Sequence, residues 1–379
     1  MRFEELEGIQ ISLLKSHYSN LKKMDIKDLQ RENIKTLKPY STARDEFKGQ
    51  ASVFLDANEN SFGSPLPANY NRYPDPLQLD LKDAISKIKG VPIENTFLGN
   101  GSDEAIDLLY RAFCNPGKDN VIILPPTYGM YEVSANINDV EIRKVDLLPN
   151  FQLDLEKIAE AIDANTKMIF ICSPNNPTGN SINRTDIETI LANFKGLVVI
   201  DEAYINFAKQ KTFIQELTEY SNLVILQTFS KAWGLAALRL GMAFSSRPVI
   251  DILNKVKPPY NINQATQDLA LAALENIQQV NDWIKITVSE RERLSNLLTK
   301  LPLVKKVYPS DANFILAEVH DALGTYNLLV DKGIIVRDRS KVSLCEGCLR
   351  ITIGTVEEND ELIRVLTPQP PKGGAENRA

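Results

Sequence analysis

Leu223-Val224-Ile225-Leu226-Gln227-Thr228-Phe229-Ser230-Lys231-Ala232-Trp233-Gly234 begins with four unbroken apolar residues and then turns abruptly polar. A short, continuous, β-branched-rich run bounded by polar residues reads as a strand covered on both faces. The pattern recurs upstream. Val121–Leu124 runs into Pro125-Pro126-Thr127, Met168–Cys172 into Ser173-Pro174-Asn175-Asn176, and Leu197–Ile200 into Asp201-Glu202. Helical spacing lies between the runs, as in Ala105, Ile106, Leu109, Ala112 and Phe113. The alternation predicts an α/β protein with a mostly parallel central sheet and helices on both faces. In such sheets, ligands bind beyond the carboxyl ends of the strands.

Outward from this centre the texture changes. From about Asn263 a helical region, Gln264–Leu298, is followed by short strand-like runs at Phe314–Ala317, Ile334–Val336 and Leu349–Ile353. These predict a smaller α+β C-terminal domain. The expected divisions are an N-terminal extension over 1–23, an arm over 24–55 packing on the small domain or a partner subunit, a large domain over 56–262, the small domain over 263–367 and a flexible tail over 368–379. Phe3, Leu6, Ile9, Leu13, Leu14 and Leu21 suggest an amphipathic helix in the extension, and Met24 can serve as an alternative start. Pro370, Pro371, Gly373 and Gly374 mark the tail.

Composition excludes several classes. The chain has 379 residues, 43% hydrophobic and 24% charged, which is the range of an ordinary globular protein. No apolar stretch approaches the length of a membrane span. The acidic start lacks the apolar core of a secretory signal, so a cytoplasmic location is expected. The net charge is 43 − 49 = −6 without a basic block, which argues against nucleic acid. Only two histidines occur, His17 and His320, neither in a triad or zinc motif. Four cysteines make no disulfide framework, and Cys345-x-x-Cys348 reads as a surface turn with ordinary thiols rather than a metal site.

The polar residues after the strands carry the chemistry. Lys231, following a buried strand, is either a surface lysine or an amine in a largely buried site. In the second case desolvation lowers its pKa, and a neutral amine can form a Schiff base. Thr228 and Ser230 can hydrogen-bond a phosphate, and Arg239 can clamp it. Asp201 is either a helix cap or a buried carboxylate facing a heterocyclic nitrogen. Tyr204 either packs or donates its phenol. Asn176 sits in the turn-rich Ser173–Gly179, and Tyr128 can stack on a flat ring. Gly99-Asn100-Gly101-Ser102-Asp103-Glu104 opens a helix over Glu104–Phe113, with Ser102 as N-cap and free N–H groups for an anion.

Together these residues meet the needs of pyridoxal phosphate. The sequence resembles the fold-type I pyridoxal-phosphate aminotransferases and, within them, the histidinol-phosphate aminotransferase family. The resemblance runs from about Met24 to Leu366. It rests on Leu55–Asn60, Asn71-Arg72-Tyr73-Pro74, Gly99–Glu104, Pro125–Tyr131, Ser173–Gly179, Asp201–Tyr204, Thr228–Lys231 with Arg239, and Cys348–Thr355. Arg31–Ile34, Pro39-Tyr40 and Arg337-Asp338 point to the histidinol-phosphate branch. The resemblance implies that Lys231, Asp201 and Tyr204 are catalytic. It implies that Ser102, Asp103, Tyr128, Asn176, Thr228, Ser230 and Arg239 bind the cofactor, joined by Tyr73 across a homodimer interface. Tyr40, Asn176, Arg337 and Arg350 would bind substrate. The implied reaction moves an amino group between histidinol phosphate and 2-oxoglutarate. Alternatives are an aromatic amino-acid aminotransferase or another pyridoxal-phosphate enzyme acting on a phosphorylated amino acid. Trp233, Gly234 and Ala237 depart from the family pattern and are expected to alter the pocket wall.

Overall fold

The computed structural model describes residues 25–40 and 52–367; the expected N-terminal helix and the tail lie outside them. Seven strands form the main sheet: β1 (Thr96–Asn100), β2 (Asn120–Ile123), β3 (Glu141–Lys144), β4 (Thr166–Cys172), β5 (Leu197–Asp201), β6 (Leu223–Thr228) and β7 (Leu240–Ser245). Their order is β1-β7-β6-β5-β4-β2-β3. β3, β2, β4, β5 and β6 run parallel, and β7 runs against both its neighbours.

The two-residue period of a strand explains why the apolar runs are unbroken. Ile169, Ile171, Val198, Ile200, Leu223 and Ile225 enter one core. Their alternates Met168, Phe170, Leu197, Val199, Val224 and Leu226 enter a second core on the other face. Each such side chain contributes roughly 1.5–3 kcal/mol on full burial. The arrangement places Cys172, Asp201 and Thr228, the last residues of β4, β5 and β6, along one edge.

A second, antiparallel sheet has β8 (Val304–Val307), β9 (Phe314–Val319), β10 (Arg337–Asp338) and β11 (Cys348–Thr352) in the order β10-β11-β9-β8. Leu294, Leu298, Ile315, Ala317, Leu349, Ile351 and Leu362 form its core. Thr355 and Glu358 make a capping box that starts its last helix, Val356–Leu366.

Six expectations change. The helical region after Asn263 is two helices, Gln264–Leu274 and Ile277–Leu298. Ala270, Leu274 and Val280 belong to the large sheet's core, so the break between cores lies within the longer helix rather than at 263. Ile334–Val336 is not a strand, because the Ile334 amide donates to Leu329 O (2.8 Å) and closes the preceding helix. The helix expected from Glu104 begins at Gly101, with Asn100 as its cap residue, so Ser102 lies in the first turn. Cys345 and Cys348 do sit in a turn, but both are fully buried against the core. In the arm, residues 25–40 pack on the large sheet's helices rather than on the small domain. Ile26, Leu29 and Ile34 are buried there, Arg31 N donates to Ala112 O (3.0 Å), and Lys255 Nζ donates to Ile34 O (2.5 Å).

Among the described residues, no helix is long and apolar enough to cross a membrane, and no cluster of three or more His, Cys, Asp or Glu is arranged to hold a metal.

Candidate active site

Asp201 closes β5 and is only 3% exposed. Its Oδ1 accepts from Ala203 N (3.0 Å) and its Oδ2 from the Tyr131 phenol (2.7 Å). Tyr131 is fully buried and stacks on Phe170 at 4.9 Å. Burial pushes the Asp201 carboxyl above its ordinary range, while the Tyr131 and Ala203 donors pull it back. Both donors are neutral, so the site offers a buried carboxylate in need of a cation.

The next strand supplies the amine. Thr228 Oγ1 accepts from Ser230 N (3.0 Å) and donates to Leu240 O (3.4 Å). These bonds hold the turn after β6, so Thr228 shapes the backbone with the hydroxyl expected to meet a phosphate. Lys231 follows, and its Nζ lies 5.6 Å from the centre of the Tyr204 ring. The side chain is exposed to an open cleft, not enclosed as the sequence suggested. The surrounding protein still displaces enough water to lower its pKa, and the Arg350 charge lowers it further; Asp201 opposes both.

An anion cradle adjoins this lysine. Gly101 N donates to Arg239 O (2.6 Å), and Arg239 adopts a left-handed φ of 52°. A Cβ on Gly241 would stand 2.2 Å from the Gly101 carbonyl carbon, so only glycine lets β7 approach the start of helix Gly101–Phe113. The Arg239 guanidinium lies 3.5 Å from both Ser230 Oγ and Asp103 Oδ2. Asp103 Oδ1 also accepts from the Tyr128 phenol (3.1 Å). The Asp103 carboxylate therefore orients Arg239 and Tyr128, and a helix N-terminus, a hydroxyl and a guanidinium together make a place that can receive an anion.

The second sheet closes the other side. Phe314 packs edge-on against Tyr204 at 5.1 Å and lies 5.3 Å from the Arg350 guanidinium. Arg350 donates to Asn176 Oδ1 (2.5 Å), so the Asn176 amide nitrogen keeps its N–H donors. Arg337 is the direct cross-strand partner of Arg350. The structure thus brings together Asp103, Tyr128, Asn176, Asp201, Tyr204, Ser230, Lys231, Arg239 and Arg350. Tyr73 stacks on Tyr260 at 4.5 Å in a neighbouring cleft lined by Asn58, Glu59 and Arg72. Tyr40 is 74% exposed at the end of the described arm. Trp233 is not a pocket wall: it is buried beside Phe229 in the core. Sequence reading passed over Tyr131 and Phe314. Tyr131 stands three residues after Tyr128 in the same segment, and nothing local assigns it to Asp201.

A phosphorylated heterocyclic aldehyde fits this donor set. An anion cradle and a buried carboxylate flank a lysine, with Tyr204 beside its amine and Tyr128 beside the cradle.

The aminotransferase class I and II family model matches residues 57–366. The histidinol-phosphate aminotransferase of Cytophaga hutchinsonii is 56% identical over 336 residues, 89% of this chain and 97% of that one. The histidinol-phosphate aminotransferase from Clostridium acetobutylicum superposes with a TM-score of 0.73 at 26% identity, covering 79% of this chain and 90% of that chain. The enzyme of that name from Sinorhizobium meliloti, solved with pyridoxal-5'-phosphate, gives a TM-score of 0.72 at 23% identity over 82% of this chain and 88% of that chain, a likeness of fold. On the extent of the family model and the identity to its curated relative, the chain belongs to the aminotransferase class I and II family.

Proposed function

We propose that this chain is a pyridoxal-phosphate-dependent transaminase. It would move an amino group reversibly between L-histidinol phosphate and 2-oxoglutarate, giving imidazole acetol phosphate and L-glutamate, in histidine biosynthesis. The observation that carries the reading is the convergence of Lys231, Asp201 and Tyr204 with Arg350, beyond the carboxyl ends of β5 and β6. The histidinol-phosphate aminotransferase relative supports the choice of substrate.

In this reading Arg239, Ser230 and the start of helix Gly101–Phe113, including the backbone of Ser102 and Asp103, hold the cofactor phosphate. Tyr128 stacks on the ring, and Asp103 fixes Tyr128 by accepting from its phenol. Tyr204 and the Asn176 amide nitrogen donate to the ring oxygen. Asp201 would face the ring nitrogen and hold a proton there. When bound, pyridoxal phosphate supplies an aldehyde that takes up the amino group and a ring that withdraws electrons from the carbon losing its proton. Lys231 would supply the amine that anchors the cofactor aldehyde. With its pKa lowered by burial and the Arg350 charge, the Lys231 Nζ would also be the group that takes and returns the substrate proton. Arg350 and Arg337 grip the phosphate of histidinol phosphate or a carboxylate of glutamate in turn.

A cytoplasmic homodimer completes the proposal. Leu55, Phe62, Leu66, Tyr70 and Tyr73 are all exposed within one stretch, which favours an interface there. Tyr73 would reach the cofactor phosphate of the partner subunit. Mixing Tyr73→Phe and Lys231→Ala proteins after subunit exchange should restore activity, because one hybrid site keeps both residues; no recovery argues for sites within one chain. The substrate is tested by comparing kcat/KM for histidinol phosphate, phenylalanine and O-phosphothreonine. A preference for phenylalanine overturns the substrate and keeps the transaminase.

A further inference from the structure

Arg339 has no part in the site as described so far. Its backbone N–H donates to Cys348 O (2.9 Å), which continues the β10–β11 pairing one step beyond Asp338. Arg337 and Arg339 are two residues apart on this edge, so both project to the face that carries Arg350. Like charges opposite each other on a sheet are destabilising. Here Arg337 and Arg350 are direct partners, with a third guanidinium alongside. Among the described residues, none of the three forms an ion pair, and Arg339 Nε is buried without a hydrogen-bond partner. Arg350 and Arg337 each depress the Arg339 pKa, second to its own burial, which is consistent with one shared field.

We propose that Arg339 is a specificity-determining charge: it makes the Arg337/Arg350 subsite favour a dianionic phosphate monoester over a carboxylate. The inference rests on the anion-subsite reading above. A carboxylate brings one negative charge and cancels one of three positive charges. A phosphate monoester brings close to two at neutral pH and cancels most of the cluster. Coulomb energy is proportional to the ligand's charge, so the field of Arg339 stabilises the dianion about twice as much in free energy as the monoanion. In affinity, the factor lost by the dianion on removing Arg339 is then the square of the factor lost by the monoanion.

The test uses holoenzyme with methyl phosphate and acetate as probes, measured by calorimetry and as competitive inhibitors of glutamate. If Arg339→Gln weakens acetate about 4-fold, it should weaken methyl phosphate about 16-fold. The phosphate-to-acetate preference then falls about 4-fold. Arg339→Met, which removes the partnerless Nε together with the charge, should give the same shift. Arg339→Lys should return the preference toward that of the parent. Equal losses for both probes, an unchanged ratio in either neutral variant, or no recovery with lysine overturns the proposal. Neither probe is histidinol phosphate, so the two readings fail separately. Absence of histidinol phosphate turnover in the parent sinks the substrate assignment and leaves the probe ratio readable.

Discussion

At the end of β5, the Asp201 carboxylate is buried with a neutral donor on each oxygen, whereas on β10 and β11 three guanidiniums share one face with no ion pair among the described residues. Both regions hold charge that the protein leaves uncompensated, but by different means. Asp201 is fixed by interior hydrogen bonds and pays for its position in desolvation. The arginines remain closer to solvent and repel one another. A buried, rigid charge suits a partner that stays, and an open, repulsive cluster suits anions that come and go. On the proposed reading, that contrast would make the side of the cleft that holds the cofactor rigid and the side that meets substrate electrostatically poised.

The largest effect should come from Lys231, the amine between the two regions. Lys231→Ala is expected to reduce turnover by about 10⁴-fold or more, the combined scale of a lost nucleophile and proton carrier. The cradle of Ser230, Arg239 and the helix start is intact in this variant, so cofactor should still co-purify. Borohydride reduction of the parent followed by peptide mapping checks the anchor. A label on another lysine breaks the assignment.

Asp201→Asn tests whether the buried charge is kept for function at a cost in stability. Turnover should fall roughly 10²–10⁴-fold, the scale of a lost electrostatic or acid–base catalyst. Burial raises the folded pKa of Asp201 above its ordinary 3.8, so the apo protein binds the proton more tightly folded than unfolded. Below the unfolded pKa the group costs nothing. Stability is lost as pH rises from the unfolded pKa through the folded one, and above that window the cost is complete. Asparagine escapes it. The apo variant should therefore gain melting temperature relative to the parent as pH rises through that window. A parallel pH dependence for both proteins would show that Asp201 bears no such cost.

The arginine face should respond more selectively. Arg337→Ala is expected to lose about 1.5–3 kcal/mol more in kcat/KM with histidinol phosphate than with an aromatic amino acid, the worth of a hydrogen bond to a charged group. Arg350→Ala should damage both half-reactions, because Arg350 also holds Asn176. Equal losses across substrates in Arg337→Ala would place that residue outside the anion subsite.

The two regions also differ in how far the sequence reveals them. Asp201, Ser230 and Lys231 were readable because each follows an apolar run that ends at a sheet edge. Their partners were not. Tyr131 meets Asp201 from 70 residues away and Arg350 meets Asn176 from 174 away, and no local pattern encodes either choice. Ile334–Val336 looks β-branched and apolar, yet the Ile334 amide is used to end a helix, so pairing starts only at Arg337. Cys345 and Cys348 lie among turn residues that suggested a surface, but each thiol packs as a small apolar group in the core. The helix break at Glu275–Asn276 carries neither proline nor glycine to announce it.

The smallest of these effects sharpens the Asp201 side of the comparison. Tyr131→Phe removes only the phenol on Asp201 Oδ2 and keeps the ring stacked on Phe170. A hydrogen bond to a charged group is worth about 1.5–3 kcal/mol, and with Ala203 still donating only part of that reaches the barrier, so kcat should fall on the order of 10-fold with little change in KM. The direction with pH discriminates between a positioning residue and plain packing. The phenol lowers the Asp201 pKa, so its loss raises that pKa further above the ordinary range. Activity requires the ionised carboxylate, and the acid limb of the kcat profile should move to higher pH. The apo variant should also lose melting temperature near neutral pH, opposite to Asp201→Asn, because it keeps the buried charge with one donor fewer. A kcat profile that superimposes on that of the parent would reduce Tyr131 to a core residue and leave Asp201 held by Ala203 alone.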